Sequence, residues 1–416
     1  MLRGCRPCCE AQSWLVASRR SAARQRRQLS DAQEFRSDKG SLKLSLKSAH
    51  LIGIAQSRGE RPYQEDAYSV KSLDLSTAEL QRTLKRTENS SAAAWKGKAK
   101  ASSEPTTEQV AYFAVFDGHG TDQVSHYLRD HLHELLETAK ASDVPAAVET
   151  YKKVGGYLRR FKGGLLERLA QGTDGLEEPE RVLALDERAT LAFIQADETV
   201  MADEEITDSG SVATAVLLHS LDIPATPFFG ASLLALTTAH VGDTRALLTS
   251  TKTGRITVLT ENHHPDSRVE AERLRRIGTG LVTDSFGESR WGGALANTRG
   301  IGDEKFKRLG VVAEPDVTTR VLKGEEWSSL ILLSDGISGV ISDQETADLI
   351  RGISDPTKAA QAIVNFVEEV GGEDNMTAIV VPLPGWRKVG GSDSTASRRE
   401  FRLRQNVGQS ARARRM

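Results

Sequence analysis

Short apolar runs that stop at a carboxylate constrain this chain more than any other feature. The run Tyr112–Phe116 leads into Asp117-Gly118-His119-Gly120, and Val241-Gly242 leads into Asp243. Leu330–Leu333 and Ser334 lead into Asp335-Gly336. Asp374-Asn375 precedes the run starting at Thr377, and Glu65-Asp66 precedes Ala67-Tyr68. Runs this short, rich in Val, Leu, Ile and Ala, and bounded by Gly or Asp, predict buried strands. Two more are expected at Val212–Leu218 and Leu233–His240, and a shorter one at Ala246–Thr249. Between them, His126–Glu137 sets Leu128, Leu132, Leu135 and Leu136 on one helical face, and Ala360, Ile363, Val364 and Val367 repeat the pattern. Strands and helices must therefore share a core, in an α/β or α+β layered domain.

An acid at the end of a buried strand is poorly solvated and rigidly held. One such Asp is usually a turn former or a helix cap. Several, each beside a Gly that lets backbone approach, suggest a common destination. Like charges crowd together only with compensation, and divalent cations supply it. Oxygen-only donors point to Mg²⁺ or Mn²⁺ rather than zinc or copper. Spacing alone leaves the turn and metal readings both open.

Cysteine and charge narrow the function. The three cysteines are Cys5, Cys8 and Cys9, so the rest of the chain has neither a disulfide framework nor a thiolate nucleophile. No second ligand pair follows Cys5 and Cys8 to make a zinc site. Residues 1–30 hold seven arginines against Glu10, and residues 387–416 hold nine Arg or Lys against Asp393 and Glu400. With −2 overall, residues 31–386 carry −15. Such a body argues against nucleic acid as a partner, and aromatics at 5% argue against base-stacking platforms. No apolar run reaches about 18 residues, so no integral membrane segment is expected.

The arginine-rich leader reads as a mitochondrial transit peptide over residues 1–30, with Arg27-Gln28-Leu29-Ser30 resembling a processing site. One catalytic domain is expected over 48–385, with surface insertions at 74–108 and 143–183. A disordered basic tail is expected over 386–416.

The order of the acidic motifs resembles the type 2C family of metal-dependent Ser/Thr protein phosphatases. The resemblance rests on Arg61-Pro-Tyr-Gln-Glu65-Asp66, Asp117-Gly-His-Gly120, Ser209-Gly-Ser-Val-Ala213, Ala239-His-Val-Gly-Asp243-Thr-Arg245, Leu295-Ala-Asn-Thr-Arg299-Gly-Ile-Gly-Asp303, Ala313-Glu-Pro-Asp316, Leu333-Ser-Asp335-Gly336 and Asp374-Asn-Met-Thr377. It covers about residues 50–383. It implies an α+β fold, a four-layer α-β-β-α sandwich of two antiparallel sheets flanked by helices.

By that resemblance Asp117 bridges two ions, Mg²⁺ or Mn²⁺. Glu65 and the Gly118 carbonyl serve one, Asp335 and Asp374 the other. A water between the ions attacks phosphorus. Arg61 clamps the phosphate, His119 is the general acid, and Asp66 holds metal-bound water. Asp243 matches a ligand of a third, weaker site whose partner would fall four residues after Asp335, where this chain has Gly339. Arg299 either contacts substrate or forms a structural ion pair. The Gly-rich stretch between Arg275 and Asn297 is expected to act as a flap affecting substrate choice. The implied partner is a phosphoprotein, the chain is expected to act as a monomer, and its implied location is mitochondrial, in the matrix or intermembrane space. A catalytically silent scaffold of the same fold, typically lacking at least one metal ligand, is the competing reading.

Overall fold

The computed structural model describes residues 31–37, 40–87, 107–154, 165, 168, 181–275, 281–283, 289–291 and 295–413. The expected transit peptide lies outside them. A hairpin of β1 (Ala32–Ser37) and β2 (Gly40–Ser45) precedes the sandwich. The strands of the sandwich are β3 (Gly53–Ser57), β4 (Ala67–Ser76), β5 (Thr107–His119), β6 (Gly210–Ser220), β7 (Leu233–Val241), β8 (Arg245–Ser250) and β9 (Ile256–Val258). A small hairpin, β10 (Leu281–Thr283) with β11 (Ser289–Trp291), falls in the expected flap. The remaining strands are β12 (Ile301–Gly302), β13 (Asp316–Lys323), β14 (Trp327–Leu333) and β15 (Met376–Pro382). One sheet runs β13-β7-β6-β5-β4, with β12 on β6, and the other runs β3-β15-β14-β8-β9. Every pairing in both is antiparallel.

The helices are α1 (Thr77–Arg86), α2 (Gln123–Thr138), α3 (Val144–Val154), α4 (Leu185–Ala202), α5 (Arg268–Leu274), α6 (Glu304–Lys307), α7 (Asp335–Ser338), α8 (Asp343–Leu349), α9 (Pro356–Glu369) and α10 (Ala396–Ala413).

The period-2 geometry of strands explains the layers. In β5, Ala111, Phe113 and Val115 point between the sheets, where they meet Val216 and Leu236 of their own sheet and Leu248, Leu332 and Ile379 of the other. The alternate residues Tyr112, Ala114 and Phe116 point outward onto Leu128 and Leu132 of α2 and Ala189 and Phe193 of α4. Ile331, Leu333, Ala378 and Val380 likewise pack outward on Ile363, Val364 and Val367 of α9. Each central strand is buried on both faces, which is why it reads as a continuous apolar run. The expected four-layer α-β-β-α sandwich is the fold.

Four boundaries differ from expectation. The segment 74–108 is not all insertion. It completes β4 and opens α1, capped by Ser76, whose Oγ accepts from the Ala78 amide, and anchored by buried Leu80 and Leu84. In 143–183, α3 presents Val144, Ala147, Val148 and Tyr151 to Leu191 and Ile194 of α4.

The tail over 386–416 contains helix α10 rather than disorder, and what holds it is not local. Trp386 Nε1 donates to the Ser354 carbonyl at 3.0 Å. Asp348 accepts from Ser394 and Thr395, and Arg402 donates to Glu345 at 3.0 Å. Upstream, Lys71 donates to Asp31 at 2.7 Å and the Glu34 amide to Gln109 at 2.6 Å. The folded body therefore starts before residue 48. Among the described residues no helix is long and apolar enough to cross a membrane.

Candidate metal centre

Antiparallel pairing brings the acidic residues to one end of the sandwich. Asp117 lies near the C-terminal end of β5, and Asp243 and Asp335 directly follow β7 and β14. Glu65-Asp66 and Asp374 directly precede β4 and β15. Because Ala67 pairs with Phe116, Ala213 with Val241, and Leu333 with Ala378, all these ends coincide. Carboxylate oxygens of Asp117, Asp243 and Asp335 lie within 4.8 Å of one another, and all three residues are partly buried. The Asp335 amide donates to Asp117 Oδ2 at 3.1 Å, which fixes β14 against β5 across the two sheets.

The electrostatics follow from crowding. Burial, then the charges of Asp335, Asp66 and Asp243, holds the Asp117 carboxyl well above the usual carboxylate range. Burial and the neighbouring Asp243 and Asp374 push Asp335 up to about 7. Burial raises Asp243 as well, opposed by a hydrogen bond from Asn297. Asp66 is pushed up to about 6, chiefly by burial. Its Oδ2 accepts from Thr377 Oγ1 at 2.7 Å, while its Oδ1 is buried with no hydrogen-bond partner among the described residues. Crowded carboxylates and an orphaned carboxylate oxygen are the features that a hard divalent cation with its water shell would satisfy.

The other expected residues surround this cluster. Arg61 is half-exposed and donates from Nη2 to Asp374 Oδ2 at 2.7 Å. Glu65 is held by its backbone: its amide donates to Asn375 Oδ1 at 2.6 Å and its carbonyl accepts from Ser125 Oγ at 2.5 Å. Gly118 is required by that approach, since a Cβ there would sit 2.4 Å from the Glu65 carbonyl oxygen. Gly339 caps α7 and its amide donates to the Asp335 carbonyl at 2.7 Å, so it offers no side-chain ligand beside Asp243.

The sequence gives no role to three residues that matter here. His119 Nε2 lies 3.0 Å from both oxygens of Asp303. Burial pulls the His119 pKa down, but the Asp303 contact outweighs it and the net shift is upward. Asp303 adopts a left-handed backbone (φ 55) at the start of α6. A Cβ at Gly210 would lie 2.4 Å from Asp303 Oδ2 and 2.5 Å from His119 Nε2, so glycine alone leaves room for the pair. Asn375 is the second: besides Glu65 it engages the Arg58 and Tyr63 carbonyls. Asn297, opposite Asp243, is the third. Side chains of this kind have no periodicity to betray them.

Arg299 is settled as structural. It is buried, donates to Glu270 Oε1 at 2.7 and 2.9 Å, and pairs with Asp316 Oδ1 at 2.7 Å.

Oxygen donors from several strand ends, meeting near an arginine and a histidine, form the kind of donor set that suits a hard cation. The sequence profile of the family described as Protein phosphatase 2C matches residues 73–376. Protein phosphatase 2C homolog 4 of Schizosaccharomyces pombe is 34% identical over 354 residues, covering 83% of this chain and 84% of that one. Protein phosphatase 1K, mitochondrial, of Xenopus laevis is 29% identical over 288 residues, covering 68% of this chain and 63% of the relative. A crystal structure of serine-threonine phosphatase 2C from Toxoplasma gondii superposes with a TM-score of 0.51 at 20% identity, over 80% of this chain and 94% of that one, a likeness of fold. The chain belongs to the protein phosphatase 2C family and is a protein phosphatase. Arg61, Glu65 and Asp66 lie ahead of the profile match and rest on the geometry and on the resemblance of their motif.

Proposed function

We propose that this chain is a divalent-metal-dependent phosphoserine/phosphothreonine phosphatase working in mitochondria. The observation that carries the reading is the cluster of Asp117, Asp243 and Asp335 oxygens within 4.8 Å. Asp117 would bridge two Mg²⁺ or Mn²⁺ ions, with Glu65 and the Gly118 carbonyl on one and Asp335 and Asp374 on the other. Bound there, the ions would supply an activated water and neutralise phosphate charge.

The chain's own residues do the rest. Arg61 presents a planar guanidinium that matches two phosphate oxygens, and Asp374 holds it at the mouth of the site. Asp66 is anchored by Thr377 and keeps one buried carboxylate oxygen unpaired, which would hold a metal-bound water. His119, held at Nε2 by Asp303, keeps a proton for the leaving serine or threonine oxygen. Asp243 lacks a second carboxylate at Gly339, so a third ion is held weakly. The mitochondrial address is supported by the seven arginines of residues 1–30 and by the name of the Xenopus relative.

The test strips the purified chain of metal and titrates Mn²⁺ or Mg²⁺ against p-nitrophenyl phosphate and a phosphothreonine peptide. Hydrolysis that follows metal is the expected result. Silence from a chain that circular dichroism shows to be folded supports the scaffold reading instead. For the address, residues 1–50 fused to a fluorescent protein should collect in mitochondria, and a diffuse signal would refute it.

The His119–Asp303 pair gives a second expectation. Asp303→Asn keeps a residue that tolerates the left-handed backbone but removes the charge that raises the His119 pKa. The alkaline limb of the pH–rate profile should move to lower pH, with about a tenfold loss at pH 8 and a smaller one at pH 6. A uniform loss at both pH values would mean that Asp303 only supports the fold.

A further inference from the structure

A cavity of about 380 Å³ opens beside the metal centre and shares His119 and Asp303 with it. That volume lies within the range of ligand pockets, about 300–1,000 Å³. Five apolar side chains from separate elements line it, beside the polar Thr207, Ser209 and Glu304: Val200 and Met201 from the last turn of α4, Ile206 from the following loop, Leu295 from the segment before Arg299, and Phe306 from α6.

Three of these side chains are braced from behind. Ile206 packs on the outer core under α2 and α4, while Leu295 and Phe306 pack on Leu274 and Val311. These side chains converge on the space without filling it. The rim is polar, where exposed Lys305 pairs with exposed Asp208.

We propose that this cavity is a substrate subsite that takes an apolar side chain flanking the phosphorylated residue of the phosphoprotein. The inference rests on the phosphatase reading of the adjoining centre. Because His119 belongs to both, a side chain seated here lies next to the leaving oxygen. Consecutive residues of an extended chain advance by about 3.3–3.6 Å, so the occupant is a close neighbour of the phosphoresidue, one to three positions away. An aliphatic or aromatic group suits the walls, and the charged rim faces the polypeptide backbone and its solvent.

The test uses the full chain with Mn²⁺ and a set of phosphothreonine peptides in which leucine is walked from three residues before to three after the phosphothreonine in a glycine and serine background. One position should raise kcat/KM about tenfold over the glycine peptide. In Ile206→Glu, checked for fold by circular dichroism, that ratio should fall below about two, and in Ile206→Val it should persist. Turnover of p-nitrophenyl phosphate and of the peptides, with no leucine position preferred by more than about twofold, overturns the subsite and leaves the phosphatase reading standing. A leucine preference that survives Ile206→Glu also overturns it. No turnover of any substrate overturns the phosphatase reading, and the subsite with it.

Discussion

Asp117→Asn should abolish metal-dependent turnover and yet raise the melting temperature of the chelated protein. The loss of activity is expected to reach about a thousandfold or more, since in the proposed two-ion site Asp117 would bridge both ions and so secure several kcal/mol of transition-state stabilisation. The gain in stability comes from the same crowding. Without cations, Asp117 sits among Asp335, Asp66 and Asp243, and burial with their charges holds its carboxyl far above the usual range. Asn keeps an oxygen to accept from the Asp335 amide and brings no charge. A gain of roughly 2 kcal/mol, or about 3 °C, is the expected scale.

The pH dependence fixes the cause. A carboxyl whose folded pKa exceeds its unfolded value of about 3.9 contributes fully below that value and loses its contribution as pH rises through the folded one. Asp335, at about 7, shows the window. The advantage of the variant should therefore be largest at pH 8 and close toward pH 4. Buried His219 and His240, pushed down to about 4 and about 3, oppose this trend in the absolute curves below about 6.5. They are common to both proteins and cancel in the difference. A variant that melts lower than the parent at pH 8 under chelation would refute the crowded-carboxylate account.

Much of the architecture was legible because period and burial are local properties. The runs Tyr112–Phe116, Val212–Leu218 and Leu330–Leu333 lie in β5, β6 and β14, and the two helical stripes lie in α2 and α9. The carboxylates were visible as punctuation of those runs, and their convergence follows from antiparallel pairing, which the residues alone could not specify. What escaped notice depends on distant partners. Asp303 meets His119 across 184 residues, and Asn375 meets Glu65 across 310. Helix α10 is charged and lacks an apolar stripe strong enough to read as packed. It is held by Glu345, a buried acid two helices earlier on α8 that reads as a surface residue in the sequence. α1 was hidden because its polar composition outweighs its two anchoring leucines.

Glu270→Gln is the substitution expected to damage the fold most. Glu270 is fully buried on α5 and stands between two guanidinium groups. Its Oε1 accepts from Arg299 at 2.7 and 2.9 Å, and its Oε2 accepts from Arg273 at 2.7 Å and from Thr298 at 2.5 Å. Arg299 continues to Asp316, Asp316 accepts from His263 Nε2 at 2.9 Å, and His263 Nδ1 accepts the Gly242 amide at 2.9 Å, one residue from Asp243. Glutamine matches the shape but supplies one acceptor oxygen, so an amide N–H₂ would face one of the arginines, Arg273 would lose the Glu270 charge, and Arg299 would keep only that of Asp316. Removing one partner of a buried pair typically costs about 3–5 kcal/mol, and a drop in melting temperature of that size is expected. The two arginines hold the Glu270 carboxyl down to about 2 despite its burial. Its contribution is thus present above its unfolded pKa of about 4.3 and lost as pH falls toward 2. The deficit of Glu270→Gln should persist at pH 8 and shrink only below about pH 4, where the glutamate of the unfolded wild-type chain begins to take up its proton. Melting within about 1 kcal/mol of the parent at pH 7 would show instead that the two arginines find solvent or backbone partners without it. The activity should fall as well, through the Asp316–His263–Gly242 chain that sets the Asp243 turn, and fall further at low Mn²⁺ than at saturation, since a displaced carboxylate weakens binding before it weakens the reaction.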